Sequence, residues 1–96
     1  VQALAKACKL DEDFAQAWYN LGLAKNQLGD RDGAVRALKR ATQLVRNSAN
    51  YWFALAAVYR DAGRVDEAKE AARETLRINF AHQGAQGLLQ SLGAGE

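Results

Sequence analysis

Two consecutive segments determine the fold: AQAWYNLGLAKNQLGDRDGAVRALKRATQLVRNS at residues 15–48 and ANYWFALAAVYRDAGRVDEAKEAARETLRINFAH at residues 49–82. A shift of 34 positions carries Trp18 onto Trp52 and Leu21 onto Leu55. Because tryptophan and leucine recur at positions typical of helix packing, we interpret the segments as successive units of a structural repeat. Further identities at the same shift are Ala15/Ala49, Gly29/Gly63, Asp32/Asp66, Ala34/Ala68 and Ala37/Ala71.

Each unit is predicted to be a pair of helices. In the first unit, Trp18, Leu21 and Gly22 recur at the three- and four-residue spacing of one helix face, and Gly29 ends that helix. A second helix is expected over residues 31–45, and the second unit repeats this order with a break at residues 62–63. We expect the structural core of the repeat to consist of Trp18, Leu21, Gly22, Ala34, Leu38, Trp52, Leu55, Tyr59 and Ala68.

The two ends of the chain are predicted to carry incomplete units. Residues 1–10 align with the second helix of the first unit at the same shift. We therefore assign residues 1–14 to the second helix of a truncated preceding unit and a linker, with Asp13 capping the helix that follows. Residues 83–96 are expected to form a capping helix, from about His82 to Leu92, and a tail. Residues 1–96 then make a single domain, with residues 15–48 and 49–82 as its full units.

The two units resemble the tetratricopeptide repeat family. That family has a 34-residue helix-turn-helix unit marked by Trp-x-x-Leu-Gly-x-x-Tyr, then Ala-x-x-x-Phe, then Pro. The sequence departs from this pattern where Lys25 replaces the tyrosine of the first unit, and where Arg46 and Phe80 replace the prolines. The resemblance rests on Trp18-x-x-Leu21-Gly22 and Ala34-x-x-x-Leu38 in the first unit, and on Trp52-x-x-Leu55-Ala56-x-x-Tyr59 and Ala68-x-x-x-Ala72 in the second.

The resemblance implies both a fold and a general function. The implied fold is all-α, a right-handed α-solenoid of antiparallel helix pairs with two full units, a leading half-unit and a C-terminal capping helix. The implied function is protein–protein interaction, with a peptide or a partner subunit bound in the concave groove and no catalysis. In similar proteins, the first helix of each unit lines that groove.

The groove residues follow from the helical wheel. A helix turns by about 100° per residue, so residues about 100–200° from Trp18 and Trp52 point away from the packed stripe. Tyr19 and Phe53 have a second interpretation, which is that they pack between units as part of the core. The residues that we expect to line the partner-binding groove are Gln16, Tyr19, Asn20, Leu23, Asn26, Asn50, Phe53, Ala57 and Arg60.

One well-known ligand of the family does not fit these positions. Relatives that bind acidic chaperone tails hold two carboxylates with lysine, asparagine and arginine. Tyr19, Leu23 and Ala54 stand at the corresponding places in this sequence. We therefore predict that the ligand presents apolar anchors, in an extended or a helical segment.

Composition narrows the function further. Lys and Arg number 13 against 11 Asp and Glu, a net charge of +2 that is too balanced for a nucleic-acid-binding surface. No apolar run reaches the roughly 20 residues of a membrane span. We see no metal-ligand spacing, cofactor motif or nucleophile–base arrangement, so we expect no metal, no cofactor and no enzyme activity. The abundance of Ala, Arg and Gly is typical of a GC-rich bacterial coding sequence, and the compartment stays open.

Two alternatives to partner binding remain at this point. In the first, the chain is a self-assembling solenoid segment, because an open end with Val1, Leu4 and Cys8 exposed would stack on a second copy or exchange a helix with it. In the second, the repeats regulate or target a larger enzyme. The 96 residues contain nothing that tests the second alternative.

Overall fold

The computed structural model describes the backbone of residues 2–93 and the side chains of residues 14–93. This part of the chain forms five α-helices: α1 (Gln2–Gln27), α2 (Arg31–Leu44), α3 (Ala49–Asp61), α4 (Val65–Ile78) and α5 (Gln83–Gly93). Each helix packs on the next one in the chain, and α3 also contacts α1 and α5. Because the connections are short, consecutive helices run antiparallel. The result is an elongated solenoid of 51 × 30 × 16 Å, as the sequence predicted.

The N-terminal region differs from the prediction. We expected a helix over residues 1–10, a linker and a new helix capped by Asp13, but α1 is one helix of 26 residues that contains Asp13. The sequence between Leu10 and Phe14 explains the difference, because it has no glycine or proline to end a helix. The predicted exposure of Val1, Leu4 and Cys8 lies outside the side chains that the structure describes.

The first helix of each unit ends with the same motif. Gly29 adopts φ +88° and Gly63 adopts φ +78°, in the left-handed region that glycine enters without strain. After α1, the Asp30 N–H donates to the Lys25 carbonyl oxygen at 2.9 Å. After α3, the bond 34 positions later, from Arg64 to the Tyr59 carbonyl, is 2.8 Å long. This Schellman geometry satisfies carbonyls that the helix leaves free and fixes the sharp reversal into the second helix.

Side-chain caps start α2 and α3. The Asp30 carboxylate accepts from the Gly33 N–H at 3.0 Å at the start of α2, and the Ser48 hydroxyl accepts from the Tyr51 N–H at 3.4 Å at the start of α3. A Cβ at position 33 would collide with the capping carboxylate, which explains the glycine there. The α4 helix has no side-chain cap, but it carries two acidic residues in its first turn, where the helix dipole favours negative charge.

Close helix packing in each unit depends on a small residue in its first helix. A Cβ added to Gly22 would lie 2.6 Å from Leu38 Cγ, a distance at which the leucine would have to move. At the same place in the second unit, Ala56 has gained the methyl group and Ala72 has replaced the leucine. Both Ala56 and Ala72 are fully buried. The two units therefore fill the same crossing with different side chains.

The predicted core residues are buried to different extents in the two units, and two of those in the first unit are exposed. Trp18 is 37% exposed and Leu21 is 42% exposed, whereas Leu55 is 2% exposed. Trp52 is half-buried and donates its indole N–H to the Arg46 carbonyl at 2.9 Å. The difference in exposure comes from the preceding helix. In the second unit, α2 packs on the face of α3 that carries Trp52 and Leu55. In the first unit, the equivalent segment, residues 2–10, continues along the axis of α1 and does not fold back over Trp18 and Leu21. The other predicted core residues are buried: Gly22, Ala34, Leu38, Tyr59 and Ala68.

In the described part of the chain, none of the helices combines the length and the apolar character that crossing a bilayer requires.

We predict that Gly22 and Leu38 are energetically coupled. Gly22→Ala should lower the free energy of unfolding by about 1–3 kcal/mol, through overpacking that outweighs the better helix propensity of alanine. Leu38→Ala should lower it by about 2–5 kcal/mol. The double variant recreates the alanine pair of the second unit, so its loss should be smaller than the sum. Urea denaturation of the four proteins measures this.

The control for this cycle is Gly87→Ala, at a helical glycine whose added Cβ would meet nothing within 4 Å. This change should stabilise the protein by up to about 1 kcal/mol. Strictly additive losses for Gly22→Ala and Leu38→Ala would show that the two side chains do not compete for one space.

A second prediction concerns acid stability. The Gly33 N–H bond, followed by the Lys25 ammonium, lowers the pKa of Asp30 below its ordinary 3.8. A lowered native pKa adds stability at pH values above 3.8 and loses it as the pH falls through the native pKa. Asp30→Ala should therefore lower the melting temperature by a constant amount above pH 5, and this difference should shrink below pH 3.8. An unchanged difference down to pH 2 would contradict the capping role.

Candidate partner-binding surface

The first helices of the units form one layer of the solenoid. The α3 helix contacts α1 on one side and α5 on the other, while α2 and α4 pack behind them. The face of this layer turned away from α2 and α4 is the concave surface. Among the residues predicted to line this surface, the polar side chains Gln16, Asn20, Asn50 and Arg60 are exposed.

A row of side-chain amides occupies one end of the concave surface. The Gln16 amide donates to Asn20 Oδ1 at 3.3 Å, and the Tyr51 hydroxyl donates to Gln16 Oε1 at 3.3 Å. The second bond joins the two units across the surface. Gln16 and Asn20 are thereby held in defined orientations while both stay exposed.

The two predicted groove aromatics lie between units. Tyr19 packs against Tyr51, with ring centroids 5.0 Å apart, and Phe53 packs against His82 at 4.8 Å. Both Tyr19 and Phe53 are half-buried against the core. A Cβ at Gly84 would lie 2.9 Å from Phe53, so the start of α5 also covers this ring. Of the two interpretations that the sequence allowed, the structure shows the inter-unit contacts, and ligand contact by the exposed ring edges stays a prediction.

His82 serves a second purpose at the same place. Its Nδ1 accepts from the Ala85 N–H at 3.1 Å, which caps α5. The imidazole therefore orders the start of α5 and packs on Phe53 at the same time.

A paired charge occupies the other end of the concave surface. Asn26 Nδ2 donates to Asp61 Oδ2 at 3.3 Å, a second side-chain bond between the units. Arg60 donates to Asp61 Oδ1 through Nε at 3.3 Å and Nη2 at 3.2 Å. Asn26 Oδ1 is buried and accepts no hydrogen bond from the described residues. Because Asp61 pairs with Arg60, this end offers a bound carboxylate a weaker attraction than a free arginine would.

The middle of the concave surface is apolar. Leu23 and Ala57 occupy equivalent positions of the two units and are half-buried. The predicted groove residues thus fall into three groups: amides at one end, small apolar side chains with aromatic edges in the middle, and a hydrogen-bonded ion pair at the other end.

Two residues that organise this surface, Tyr51 and Asp61, were not predicted from the sequence. Each bonds a side chain 35 positions earlier, which is one repeat plus one residue. A search for polar pairs at that spacing would have found both, because neighbouring first helices repeat with the same period.

No metal-binding cluster occurs among residues 14–93. This range brings no group of three His, Cys, Asp or Glu side chains into a metal-binding arrangement.

Comparison with known proteins identifies the class of repeat. Tetratricopeptide repeat models match residues 15–58 and residues 49–82. The chain belongs to the tetratricopeptide repeat family, and it is a protein-interaction module of the general kind that this family forms.

Relatives agree with this assignment over most of the chain. The uncharacterized protein YfbP of Escherichia coli (strain K12) is 32% identical over 71 residues, which are 74% of this chain and 25% of YfbP. A crystal structure of MamA superimposes on 98% of this chain with a TM-score of 0.84 and 31% identity, and 55% of MamA is covered. The Cut9–Hcn1 hetero-tetramer of the APC/C gives a TM-score of 0.82 and 31% identity, over 86% of this chain and 16% of that one.

The chain spans a quarter of the curated relative that it matches, and about half or less of these solved structures. Its similarity to each is a similarity of repeats. The activities and partners of the longer proteins do not follow from it.

We predict that His82 controls the docking of α5. His82→Ala removes the cap, which is worth about 1 kcal/mol, and the ring contact with Phe53, worth about 0.5–1.5 kcal/mol. Amide hydrogen exchange in α5 should therefore accelerate, with little change in α2. His82→Asn keeps a capping acceptor and loses the ring, so its exchange should be intermediate. Equal exchange in all three proteins would contradict the role of the cap.

Proposed function

We propose that this chain binds a peptide segment of a partner protein across its concave surface and catalyses no reaction. One observation carries the proposal: a row of exposed side-chain amides, held in fixed orientations, lies beside half-exposed apolar side chains on the face shared by α1 and α3. This combination suits a polypeptide, which presents backbone amides and apolar side chains together.

The chemistry of the amides favours a backbone ligand. Asn50 offers two N–H donors and a carbonyl acceptor, the complement of a peptide group. Asn20 offers two N–H donors and the second lone pair of a carbonyl oxygen that already accepts from Gln16. Their exposure leaves this capacity available to a ligand. An extended peptide would gain main-chain hydrogen bonds here, and a helical one would use its polar flank.

The middle of the surface favours apolar anchors. Leu23 and Ala57 are half-buried apolar side chains, and so are Tyr19 and Phe53. These positions carry no charge, and Arg60 is bonded to Asp61. A ligand with neutral, apolar anchors therefore fits better than one with several carboxylates. The spacing between these apolar anchors would then determine which partner binds.

Two further observations support this function. A solved structure of similar repeats, Cut9–Hcn1, is a hetero-tetramer in which such a chain occurs with another protein. Among residues 14–93, the single histidine accepts a backbone N–H through Nδ1, so it is engaged in a helix cap. General-base catalysis would need that nitrogen or an equivalent base free beside a nucleophile.

The experiment starts from peptides selected on the wild-type chain from a random 12-residue display library. NMR chemical shifts should then place each selected peptide on α1 and α3. Asn20→Ala/Asn50→Ala should weaken binding at least tenfold, because two exposed hydrogen-bonding side chains are lost and no core contact is changed. Titration calorimetry measures the loss.

The control is Gln43→Ala/Arg73→Ala, which removes two exposed polar side chains from the second helices. It should bind as wild type does. Peptides whose shifts fall on α2 and α4, or that bind the Asn20→Ala/Asn50→Ala protein unchanged, would refute the concave site.

A further inference from the structure

Two equivalent grooves lie on the side of the solenoid away from the concave surface. The first has a volume of about 490 Å³ and the second about 500 Å³. Each lining residue of the first groove has its counterpart 34 positions later in the second. The first groove is lined by Trp18, Leu21, Lys25, Gly33, Arg36, Ala37 and Arg40, and the second by Trp52, Leu55, Tyr59, Glu67, Glu70, Ala71 and Glu74.

The second groove has an additional wall. Lys39, Thr42 and Gln43 complete its lining, and all three belong to α2, the second helix of the preceding unit. The first groove has no such wall among the described side chains, and its apolar floor, Trp18 and Leu21, is exposed. The repeat thus defines what is missing: a second helix of a preceding unit.

This chain contains the matching segment. Subtracting 34 from positions 39, 42 and 43 gives positions 5, 8 and 9, within the segment 2–10 that aligns with α2 in sequence. In the structure, however, that segment is the first part of α1 and runs on along its axis. It points away from the groove of its own chain, so it is available to the groove of another copy.

We propose that two copies of this chain exchange their N-terminal segments. Each α1 packs antiparallel to the α1 of the second copy, and segment 2–10 of one copy forms the missing wall over Trp18 and Leu21 of the other. The contact is isologous, as helix exchange about a two-fold axis requires.

The register of the repeat allows this symmetry. In the α2–α3 hairpin, residues equidistant from the turn at 45–48 lie opposite one another. Shifting by 34 moves that turn to residues 11–14. Two α1 helices that cross at residues 11–14 place the same residues opposite one another, and the arrangement is identical from either copy. The dimer therefore reproduces an interface that the solenoid already contains.

Charge is compatible with this occupant. The first groove carries Lys25, Arg36 and Arg40, with Lys25 paired to Asp30. Segment 2–10 has alanine at position 5, where α2 has Lys39, and lysine at position 9, where α2 has Gln43, so the number of lysines in the wall is unchanged. Its Lys9 is followed directly by the acidic run at residues 11–13. In the stated register this run lies within about one helical turn of Arg40 of the other copy, where the charges attract.

The test is the molar mass of the 96-residue chain, measured by light scattering after size exclusion over a concentration series. The wild-type chain should give a dimer of twice its 10.5 kDa. Trp18→Ser/Leu21→Ser removes the apolar floor and should raise the dimer dissociation constant at least tenfold. A wild-type monomer at every concentration would overturn the proposal. The segment would then fold back over its own groove, or the groove would bind another partner.

The matched control removes apolar surface elsewhere. Leu28 is 85% exposed and Phe80 is 83% exposed, and neither lines the groove. Leu28→Ser/Phe80→Ser should leave the dimer unchanged. Loss of the dimer in this control as strongly as in Trp18→Ser/Leu21→Ser would also overturn the exchange.

A further variant tests the continuity of α1. Position 12 is equivalent to position 46, in the loop between α2 and α3, and Glu12→Pro introduces a residue that breaks a helix interior. The segment can then fold back over its own groove, so this variant should be a monomer with wild-type helicity by circular dichroism. A Glu12→Pro dimer would contradict the exchange.

The concave variant Asn20→Ala/Asn50→Ala separates this proposal from the proposed function. It should dimerise as the wild type does, because both asparagines lie on the opposite face. Failure of peptide binding and failure of dimerisation are therefore distinguishable.

Discussion

The close approach of the two helices within each unit is the constraint on which the rest of the structure depends. At Gly22, the backbone of α1 comes so near to α2 that Leu38 occupies the space of a missing Cβ. The second unit fills the same crossing with a pair of fully buried alanines, Ala56 and Ala72. Because the position in the first helix holds a small residue in both units, similar helix pairs stack into a solenoid with a fixed period.

Stacking of rigid pairs also determines the chemistry of the concave surface. The first helices of neighbouring units approach closely enough for Tyr19 to pack on Tyr51 and for Asn26 to bond Asp61. Side chains used in this way are only partly available to a ligand. The surface left for recognition is therefore rich in amides and small apolar groups, with its charges already paired.

The helix boundaries could be predicted from the sequence because local chemistry determines them. The turn after α1 needs a residue with left-handed backbone geometry, which Gly29 provides. Ser48 caps the start of α3. Short-range signals of this kind indicate where α1 ends and where the following helices begin. The start of α1 could not be predicted in this way. The acidic residues 11–13 were expected to form a linker, but they include no glycine or proline that would end a helix. The solenoid class followed from the period, which depends on the whole pattern and tolerates single departures such as Lys25.

The burial of Trp18 in the first unit and the ring contact of Phe53 could not be predicted for a different reason. A sequence period shows which residues are equivalent, but it does not show which neighbours cover them. The α2 helix covers Trp52, whereas no described side chain of a preceding helix covers Trp18. Likewise, a helical wheel gives the direction of Phe53, but it does not show that His82, in the connection between α4 and α5, packs on this ring.

The two equivalent grooves carry opposite charges: the first is basic and the second is acidic. This difference limits which helix can pack into each groove. The second groove places Lys39 of α2 in a lining that includes Glu67, Glu70 and Glu74. An α2 helix from another copy, laid over the first groove, would bring its Lys39 beside Arg36 and Arg40 instead, and like charges at that distance repel. Shape alone would let copies stack out of register, because the apolar floors are the same. The alternation of basic and acidic walls opposes that error, so the units are equivalent in fold but are not interchangeable in assembly.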